Sequence, residues 1–224
     1  MLALLDGDIF AYRAAASAEK ETAEVAVWRA QDSIDRCLND VGATTFVIWL
    51  SDKAENNFRY SIYPEYKANR TQLPPTYLPN VLNALKNKLN AKVTPNQEAD
   101  DALGIDQCNL EEETIICSID KDLLQIPGLH YNFVKQEFKT VTKEEGIKHF
   151  YKQFLIGDRA DNIFGVYGIG PKKADGIINP CTTEEEMFDR VVHYYENDRD
   201  RAVINGKVLW IRQKQEQIWE PPIV

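Results

Sequence analysis

Acidic side chains are the residues of this sequence most suited to chemistry, because they recur in short clusters. The chain carries 35 Asp and Glu residues among 224. The clusters are Asp6-Gly7-Asp8, Glu98-Ala99-Asp100-Asp101, Asp120-Lys121-Asp122 and Asp158-Arg159-Ala160-Asp161. Carboxylates that converge repel one another, and hard cations with all-oxygen ligands relieve this repulsion when no matching Lys or Arg is present. The pattern predicts a site for Mg²⁺ or Mn²⁺.

Two such ions, held about 3.5 to 4 Å apart, can activate a water and stabilise the leaving oxygen of an in-line phosphoryl displacement. This chemistry suits phosphodiesters and needs no histidine base. The three histidines, His130, His149 and His193, lie away from every acidic cluster. An alternative is that acids at helix N-termini are placed there because they interact favourably with the helix dipole. It accounts for Glu98 or Asp100 alone and leaves the other clusters unexplained.

The distribution of charge matters more than its total. A formal net charge of -9 argues against nucleic acid, because phosphate binding normally needs a positive field. Between residues 58 and 92, however, six basic residues accompany the single acid Glu65, whereas residues 93 to 122 hold nine acids and only Lys121. An acidic site beside a basic strip fits a metal-dependent enzyme that acts on a polyanion. Two differently charged solvated faces are the alternative interpretation.

Strands and helices must position these acids. Apolar runs at 2–5, 45–50 and 114–118 predict strands, and each is followed at once or within two residues by an acid: Asp6, Asp52 or Asp120. Helical periodicity separates them, which favours an α/β fold with a mostly parallel central sheet flanked by helices. Ligand sites in such sheets lie beyond the carboxyl ends of the strands. The three acids are therefore expected to meet.

The second half of the chain is predicted to be largely helical. A hairpin is expected at about 132–142, followed by helices near 172–178 and 185–195. The apolar stripe of a further helix, at about 77–89, is expected to pack rather than to bind. We predict an α/β domain at 1–140 and a helical region with a C-terminal tail at 141–224.

Two basic motifs suggest contacts with phosphate. Lys67 and Arg70 are three residues apart, so on a helical turn they would present a point charge and a planar fork to one phosphate. A solvated basic face is the alternative. The Gly-rich run from Gly165 to Gly170 would let backbone N–H groups approach a phosphate, and Lys172 and Lys173 begin the helix that follows.

Targeting signals and metal-binding cysteines are not expected. The apolar start of the chain meets Asp6 too soon for a secretory segment, and no later run approaches a membrane span. We expect an intracellular protein, in the cytoplasm of a host if a phage encodes it. Cys37, Cys108, Cys117 and Cys181 form no Cys-x-x-Cys pair, so buried reduced thiols are expected rather than zinc ligands.

In their order along the chain the motifs resemble the 5′ nuclease family, which includes flap endonucleases and the 5′ nuclease domain of bacterial DNA polymerase I. Gly165 to Ala174 resembles that family's helix-three-turn-helix. The short length and the ending Leu209-Trp210-Ile211-Arg212 are closer to phage 5′ to 3′ exonucleases. The other matching segments are Leu5 to Asp8, Asp52, Tyr63 to Arg70, Glu98 to Asp101, Ser118 to Asp122 and Gly157 to Asn162.

The resemblance implies a PIN-like fold, two divalent ions and contacts with DNA. Asp6, Asp52, Glu98, Asp100 and Asp101 would serve one ion; Asp120, Asp122, Asp158 and Asp161 would hold or orient the second. Lys67 and Arg70 would meet the scissile phosphate, with Asp6 and Asp100 as catalytic ligands. Gly168, Gly170, Lys172 and Lys173 would bind DNA, and the carbonyl groups of the Gly-rich turn would suit K⁺.

The expected function is 5′ to 3′ exonuclease activity on DNA by a two-metal-ion mechanism, in phage replication, recombination or host DNA degradation. Expected substrates are duplexes with a 5′ end, nick or flap, or RNA–DNA hybrids; a polymerase or single-strand-binding protein is a further candidate partner. The alternatives are a flap endonuclease, a ribonuclease H that removes primers, and a nonenzymatic DNA-binding module. Asp6-Gly7-Asp8 also fits aspartate-nucleophile phosphatases, but Ile9 and Phe10 replace the hydroxyl-bearing continuation.

Overall fold

The computed structural model describes residues 1–222, which contain a six-stranded sheet. Its strands are β1 (Leu2–Asp6), β2 (Thr45–Leu50), β3 (Lys92–Val93), β4 (Thr114–Cys117), β5 (Gly128–Asn132) and β6 (Glu137–Val141). Their order across the sheet is β3-β2-β1-β4-β5-β6. Neighbouring strands run parallel except β5 and β6, which form the antiparallel hairpin expected from the sequence.

Helices lie between β1 and β2, between β2 and β3 and between β3 and β4, and the chain after β6 is largely helical. They are α1 (Gly7–Ser17), α2 (Ala23–Val41), α3 (Arg59–Ile62), α4 (Leu78–Leu89), α5 (Ala99–Asn109), α6 (Lys143–Ile156), α7 (Pro171–Ile178), α8 (Glu184–Tyr194) and α9 (Arg199–Leu209). A small antiparallel hairpin, β7 (Gly157–Asp158) with β8 (Ile163–Phe164), joins α6 to the turn before α7. The prediction of a mostly parallel sheet flanked by helices is confirmed.

The central strand β1 has both faces buried, as its unbroken apolar sequence predicts. Because successive side chains point to opposite faces, Ala3 and Leu5 enter one core and Leu2 and Leu4 another. Helices α1, α2 and α4 cover the first face, while α5 contributes Leu103 to the second. The sheet is therefore held between two helical layers.

Helix α4 packs instead of projecting from the molecule. Val81 and Leu85 are buried in the first core, and Leu78, Leu82 and Leu89 pack against its edge. Pro at the second position and an αL residue, Asn90, delimit the helix. The expectation that its apolar stripe packs is confirmed.

The helical region has a core of its own, rich in aromatic side chains. Phe150 packs edge to face with Phe154, Trp210 and Trp219 at centroid distances of 4.8, 4.8 and 5.5 Å. Tyr66, which precedes β4 in sequence, belongs to the same core. The division at residue 140 stays a prediction, because the sheet ends at Val141 but the helical core draws on earlier residues; positions 223 and 224 lie outside the described part.

Three of the four cysteines are buried as expected, and Cys108 is exposed. Within the described chain, no helix combines the length and the apolar character needed to cross a membrane.

Candidate active site

An open cavity of about 820 Å³ lies at the carboxyl ends of β1 and β4. The edge of a parallel sheet is where ligand sites are expected in this class of fold. Eight of the nine predicted metal-binding residues line the cavity, together with Lys67 and Arg70. These eight are Asp6, Asp52, Glu98, Asp100, Asp120, Asp122, Asp158 and Asp161.

Asp6 stands where β1 gives way to α1. As the N-cap of α1 it accepts a hydrogen bond of 3.2 Å from the backbone N–H of Ile9, and the hydroxyl of Ser118 donates to it at 2.6 Å. Its side chain is only 2% exposed. Burial raises the pKa of Asp6 to about 7, with smaller contributions from repulsion by Asp8 and Asp120.

Glu98 and Asp100 reach the cavity from the start of α5. Burial raises the pKa of Asp100 well above its ordinary value, and repulsion by Asp6 and Asp120 adds to this. Burial acts on Glu98 in the same direction, but the cations of Lys67 and Arg59 outweigh it and lower the pKa of Glu98. Together with Asp6 and Asp8 these residues form what we call the first carboxylate group.

The second carboxylate group consists of Asp120, Asp122, Asp158 and Asp161. The backbone N–H of Asp122 donates to Asp120 at 2.8 Å, so the turn after β4 holds these two acids side by side. Burial raises the pKa of Asp122 to about 8, and repulsion by Asp120 and Asp158 adds to the shift. Burial also raises the pKa of Asp120. Burial and mutual repulsion thus disfavour the ionised forms of Asp120 and Asp122, and a bound cation would favour them.

Two cationic side chains, Lys67 and Arg70, line the cavity. The Lys67 ammonium donates to Glu98 and lies 3.7 Å from Asp161, while the Arg70 guanidinium contacts Asp161 at 2.6 Å. The hydroxyl of buried Tyr66 joins the same two acids, at 2.9 Å from Glu98 and 2.8 Å from Asp161. Lys67 and Arg70 therefore lie beside both carboxylate groups.

The local structure of Lys67 differs from the expectation. Residues 64–69 form consecutive turns rather than a helical turn, and Lys67 has a positive φ of 57°. Its backbone N–H donates to the Asp161 carbonyl at 2.9 Å, which holds the turn against the second carboxylate group. A turn, closed by the bond from the Arg70 N–H to the Lys67 carbonyl at 3.0 Å, thus brings the two residues together where we expected a helical turn.

The structure does not bring Asp101 to the cavity. Its side chain is 0% exposed and points into the protein, where Arg59 holds both oxygens at 2.6 and 2.9 Å. The backbone N–H groups of Glu98 and Arg212 also donate to it, at 3.2 and 3.0 Å. Successive helical residues face directions about 100° apart, and here Asp100 faces the cavity while Asp101 faces Arg59. The prediction that Asp101 contributes to the metal site is wrong.

Asp52 lies at the rim of the cavity. It accepts hydrogen bonds from the N–H groups of Lys53 and Asn96, at 2.7 and 2.9 Å, and from the side chain of Asn56 at 3.1 Å. These bonds lower its pKa. Its assignment as a metal ligand stays a prediction.

Asp8 belongs to an acidic cluster of the sequence, but the sequence analysis did not assign it to the metal site. It lines the cavity, accepts a hydrogen bond of 2.9 Å from the N–H of Ser51, and has its pKa raised by burial. The signal was available in its position two residues after Asp6, in the first turn of a helix that starts at the strand end. Tyr66 was missed too, because its two partners are distant in sequence.

The Gly-rich turn forms a separate surface. Gly168 has a positive φ of 75°, and a Cβ atom at Gly168 or Gly170 would meet open space. Lys172 and Lys173 are exposed at the start of α7, and the ammonium of Lys173 donates to the Gly168 carbonyl at 2.9 Å. None of these four residues lines the acidic cavity.

The donor set fits hard divalent cations. Asp6, Asp100, Asp120 and Asp122 form no salt bridge with Lys or Arg in the described chain. All of them offer oxygen ligands, and burial raises the pKa of all four, with repulsion by neighbouring carboxylates adding to the shift. Among residues 1–222, no three His, Cys, Asp or Glu side chains are already gathered in a metal-binding arrangement.

Fold and site together agree with a known class of nuclease. A model of the 5′-3′ exonuclease N-terminal resolvase-like domain matches residues 1–152. The chain therefore belongs to the 5′-3′ exonuclease family.

Individual relatives agree with this assignment. The flap endonuclease Xni of Shewanella amazonensis is 32% identical over 185 residues, covering 72% of each chain. The 5′-3′ exonuclease of Buchnera aphidicola from Acyrthosiphon pisum is 29% identical, and the match covers 76% of this chain and 64% of that protein. The solved T5 5′-exonuclease with bound zinc superposes with a TM-score of 0.74 at 19% identity, over 93% of this chain and 88% of the other.

Proposed function

We propose that this protein is a divalent-metal-dependent 5′ to 3′ exonuclease that hydrolyses DNA phosphodiesters. The observation that carries the proposal is the convergence of both carboxylate groups on one cavity whose mouth holds Lys67 and Arg70. Family membership agrees with it. A nonenzymatic DNA-binding module would not need this many buried acids.

Mg²⁺ or Mn²⁺ is the proposed cofactor, with Asp6, Asp8, Glu98 and Asp100 as ligands for one ion and the second carboxylate group for another. Bound ions would supply an activated water and charge stabilisation at the leaving oxygen. The chain's own acids provide the oxygen ligands, and their removal from bulk water strengthens their attraction to a cation. K⁺ at the Gly-rich turn is proposed only from the family resemblance.

Lys67 and Arg70 are proposed to receive the scissile phosphate. Both now pair with acids of the cavity, so an incoming phosphate exchanges one anionic partner for another. Arg70 is about half exposed, with 56% of its side-chain surface accessible, and can turn outward. Its planar fork matches a phosphate, whereas Lys67 supplies a point charge.

DNA is the proposed substrate, in the form of duplexes with a 5′ end, nick or flap. Gly168, Gly170, Lys172 and Lys173 would grip the backbone of the duplex away from the cavity, through open N–H groups and two positive charges. Flap cutting is the second candidate activity, because one relative is named a flap endonuclease. We also propose a location in the cytoplasm and a role in phage replication.

Cleavage of a 5′-labelled duplex in Mg²⁺ or in excess chelator tests the proposal. We expect hydrolysis with the ion and none with the chelator. Asp100→Asn is expected to abolish most cleavage while duplex binding survives, because this carboxylate repels phosphate unless a cation intervenes. Undiminished cleavage in excess chelator would rule out the two-metal mechanism, and loss of binding in Asp100→Asn would indicate a folding defect.

A further inference from the structure

The segment Val208–Arg212, which we call the tail segment, packs against the back of the sheet although it follows β6 by more than sixty residues. It lies beyond the matched family domain of residues 1–152. Ile211 is 4% exposed and shares a core with Leu4 and Leu103. A Cβ atom on Gly104 would meet the Arg212 carbonyl at 2.5 Å, so α5 admits the tail segment only because glycine stands there.

A first chain of buried hydrogen bonds leads from the tail segment to α5. The guanidinium of Arg59 donates to the carbonyls of Val208 and Trp210 at 2.9 and 2.8 Å, and its other N–H groups hold Asp101. Arg59 is 2% exposed. All of these groups are removed from water, where charge-assisted hydrogen bonds are strong and their loss is costly.

This first chain ends at the first carboxylate group. Asp101 accepts the backbone N–H of Glu98, and its own side chain is fixed by Arg59 and by the backbone N–H of Arg212. Arg59 also lies 3.8 Å from the Glu98 carboxylate, and Arg212 donates to Gln97 at 2.7 Å. The first turn of α5 is thereby held in one orientation, and with it the direction in which Glu98 faces the cavity.

A second chain runs from the tail segment to the second carboxylate group. The Gln125 side chain donates to the Leu209 carbonyl at 2.8 Å and accepts the Ile211 N–H at 3.2 Å. It also donates to Gln153 at 2.6 Å, and Gln153 donates to Asp122 at 2.8 Å. Both glutamines are buried. The two chains share no side chain and meet at the tail segment, while Tyr66 and Lys67 link the two carboxylate groups at the cavity.

We propose that the tail segment positions the two carboxylate groups through these two separate chains, so that each chain sets the affinity of one metal ion. Residues that orient metal ligands from behind change affinity when they are removed, even though they do not touch the ion. The proposal rests on the proposed function, because it assumes that the two groups bind divalent ions. Arg59, Asp101, Gln125 and Gln153 are positioning residues in this account.

Calorimetric titration of the full chain with MnCl₂, without DNA, tests the proposal. Arg59→Lys keeps a positive charge opposite Asp101 but loses the fork that reaches the two carbonyls. Gln125→Met keeps the shape of the side chain but loses its bonds to the tail segment. We expect each variant to weaken one binding event about tenfold and to leave the other nearly unchanged. Each variant is the matched control for the other.

Glu98→Gln and Asp122→Asn identify the two binding events, since each removes a charge from one carboxylate group. Circular dichroism melts separate loss of fold from loss of affinity. If Arg59→Lys does not fold, Arg212→Met replaces it, because methionine has no N–H group to donate to Gln97. Unchanged affinities in folded variants, or equal weakening of both events, would overturn the proposal. A wild-type chain that binds no Mn²⁺ would instead overturn the proposed function, and this inference with it.

Discussion

Asp6 is buried and Asp122 half-buried, and neither carboxyl group forms a salt bridge in the described chain, so the stability of the metal-free protein depends on pH. Burial raises their pKa values to about 7 and about 8. A carboxyl group with a raised pKa binds its proton more tightly in the folded state, so folding is favoured at low pH and loses stability as the pH rises through the folded pKa.

We therefore expect the free energy of unfolding in chelator to fall between pH 6.5 and 8.5, by on the order of 2 kcal/mol. Buried His149, with its pKa lowered to about 4, contributes in the opposite direction but only below this window. Urea denaturation at several pH values measures the effect. Divalent ions should restore the lost stability most at the highest pH values. A free energy of unfolding that does not change with pH in chelator would contradict the burial argument.

Lys67 is expected to contribute to turnover more than to binding. It lies within the acidic cavity, where its charge can stabilise charge that develops on a reacting phosphate. Lys67→Ala should reduce kcat about 100-fold or more, with a much smaller change in duplex affinity. Lys86→Ala, which removes the same charge from an exposed position on α4, is the control. Equal losses of kcat and affinity would make Lys67 a binding residue.

At the scale of elements, α7 and the Gly-rich turn are expected to grip DNA without taking part in cleavage. Lys172→Ala with Lys173→Ala should weaken duplex affinity and reduce the slope of its salt dependence by up to about two counterions. Lys135→Ala with Lys139→Ala removes two exposed charges from the β5–β6 hairpin and should leave the slope unchanged. Fluorescence anisotropy at several salt concentrations measures both.

The elements that hold the site differed in how well the sequence predicted them. Strands β1, β2 and β4 are short apolar runs bounded by polar residues, so both their existence and the meeting of Asp6 with Asp120 followed from local pattern. Asp100 and Asp101 are adjacent and chemically identical, and only the orientation of α5 decides which one faces the cavity.

Contacts between distant segments could not be predicted from the local sequence pattern. In the sequence, Arg59 is one of six basic residues in a basic strip. In the structure it binds Asp101 and the tail segment, which lie 42 and more than 140 residues away. The turn at Lys67 likewise depends on a bond to the Asp161 carbonyl. Periodicity reports which face of an element is apolar, and it carries no information about which remote segment will cover that face.

At the scale of the whole molecule, the packing of α4 favours work on duplex ends. Val81 and Leu85 are buried in the core beside α1 and α2, so only residues 71–77 are left between Arg70 and α4, and we expect this segment to be too short for a closed portal that passes a single strand. A 5′-labelled blunt or nicked duplex should release mainly mononucleotides or very short products, and a long 5′ flap should be cut more slowly. Product lengths on denaturing gels distinguish an exonuclease from a flap endonuclease. Faster release of intact long flaps would make the protein a flap endonuclease.

The bond between Arg59 and the Trp210 carbonyl joins residues 151 positions apart. A contact of that separation forms only after a very long loop has closed, and such closures are slow because their entropic cost precedes any gain from packing. Every strand pairing joins residues closer in sequence than these, the most distant being that of β1 with β4, so the sheet can form before this bond. During refolding, the secondary structure of this protein should therefore be complete before its carboxylates reach their final orientation, and competence to bind metal should be among the last properties acquired.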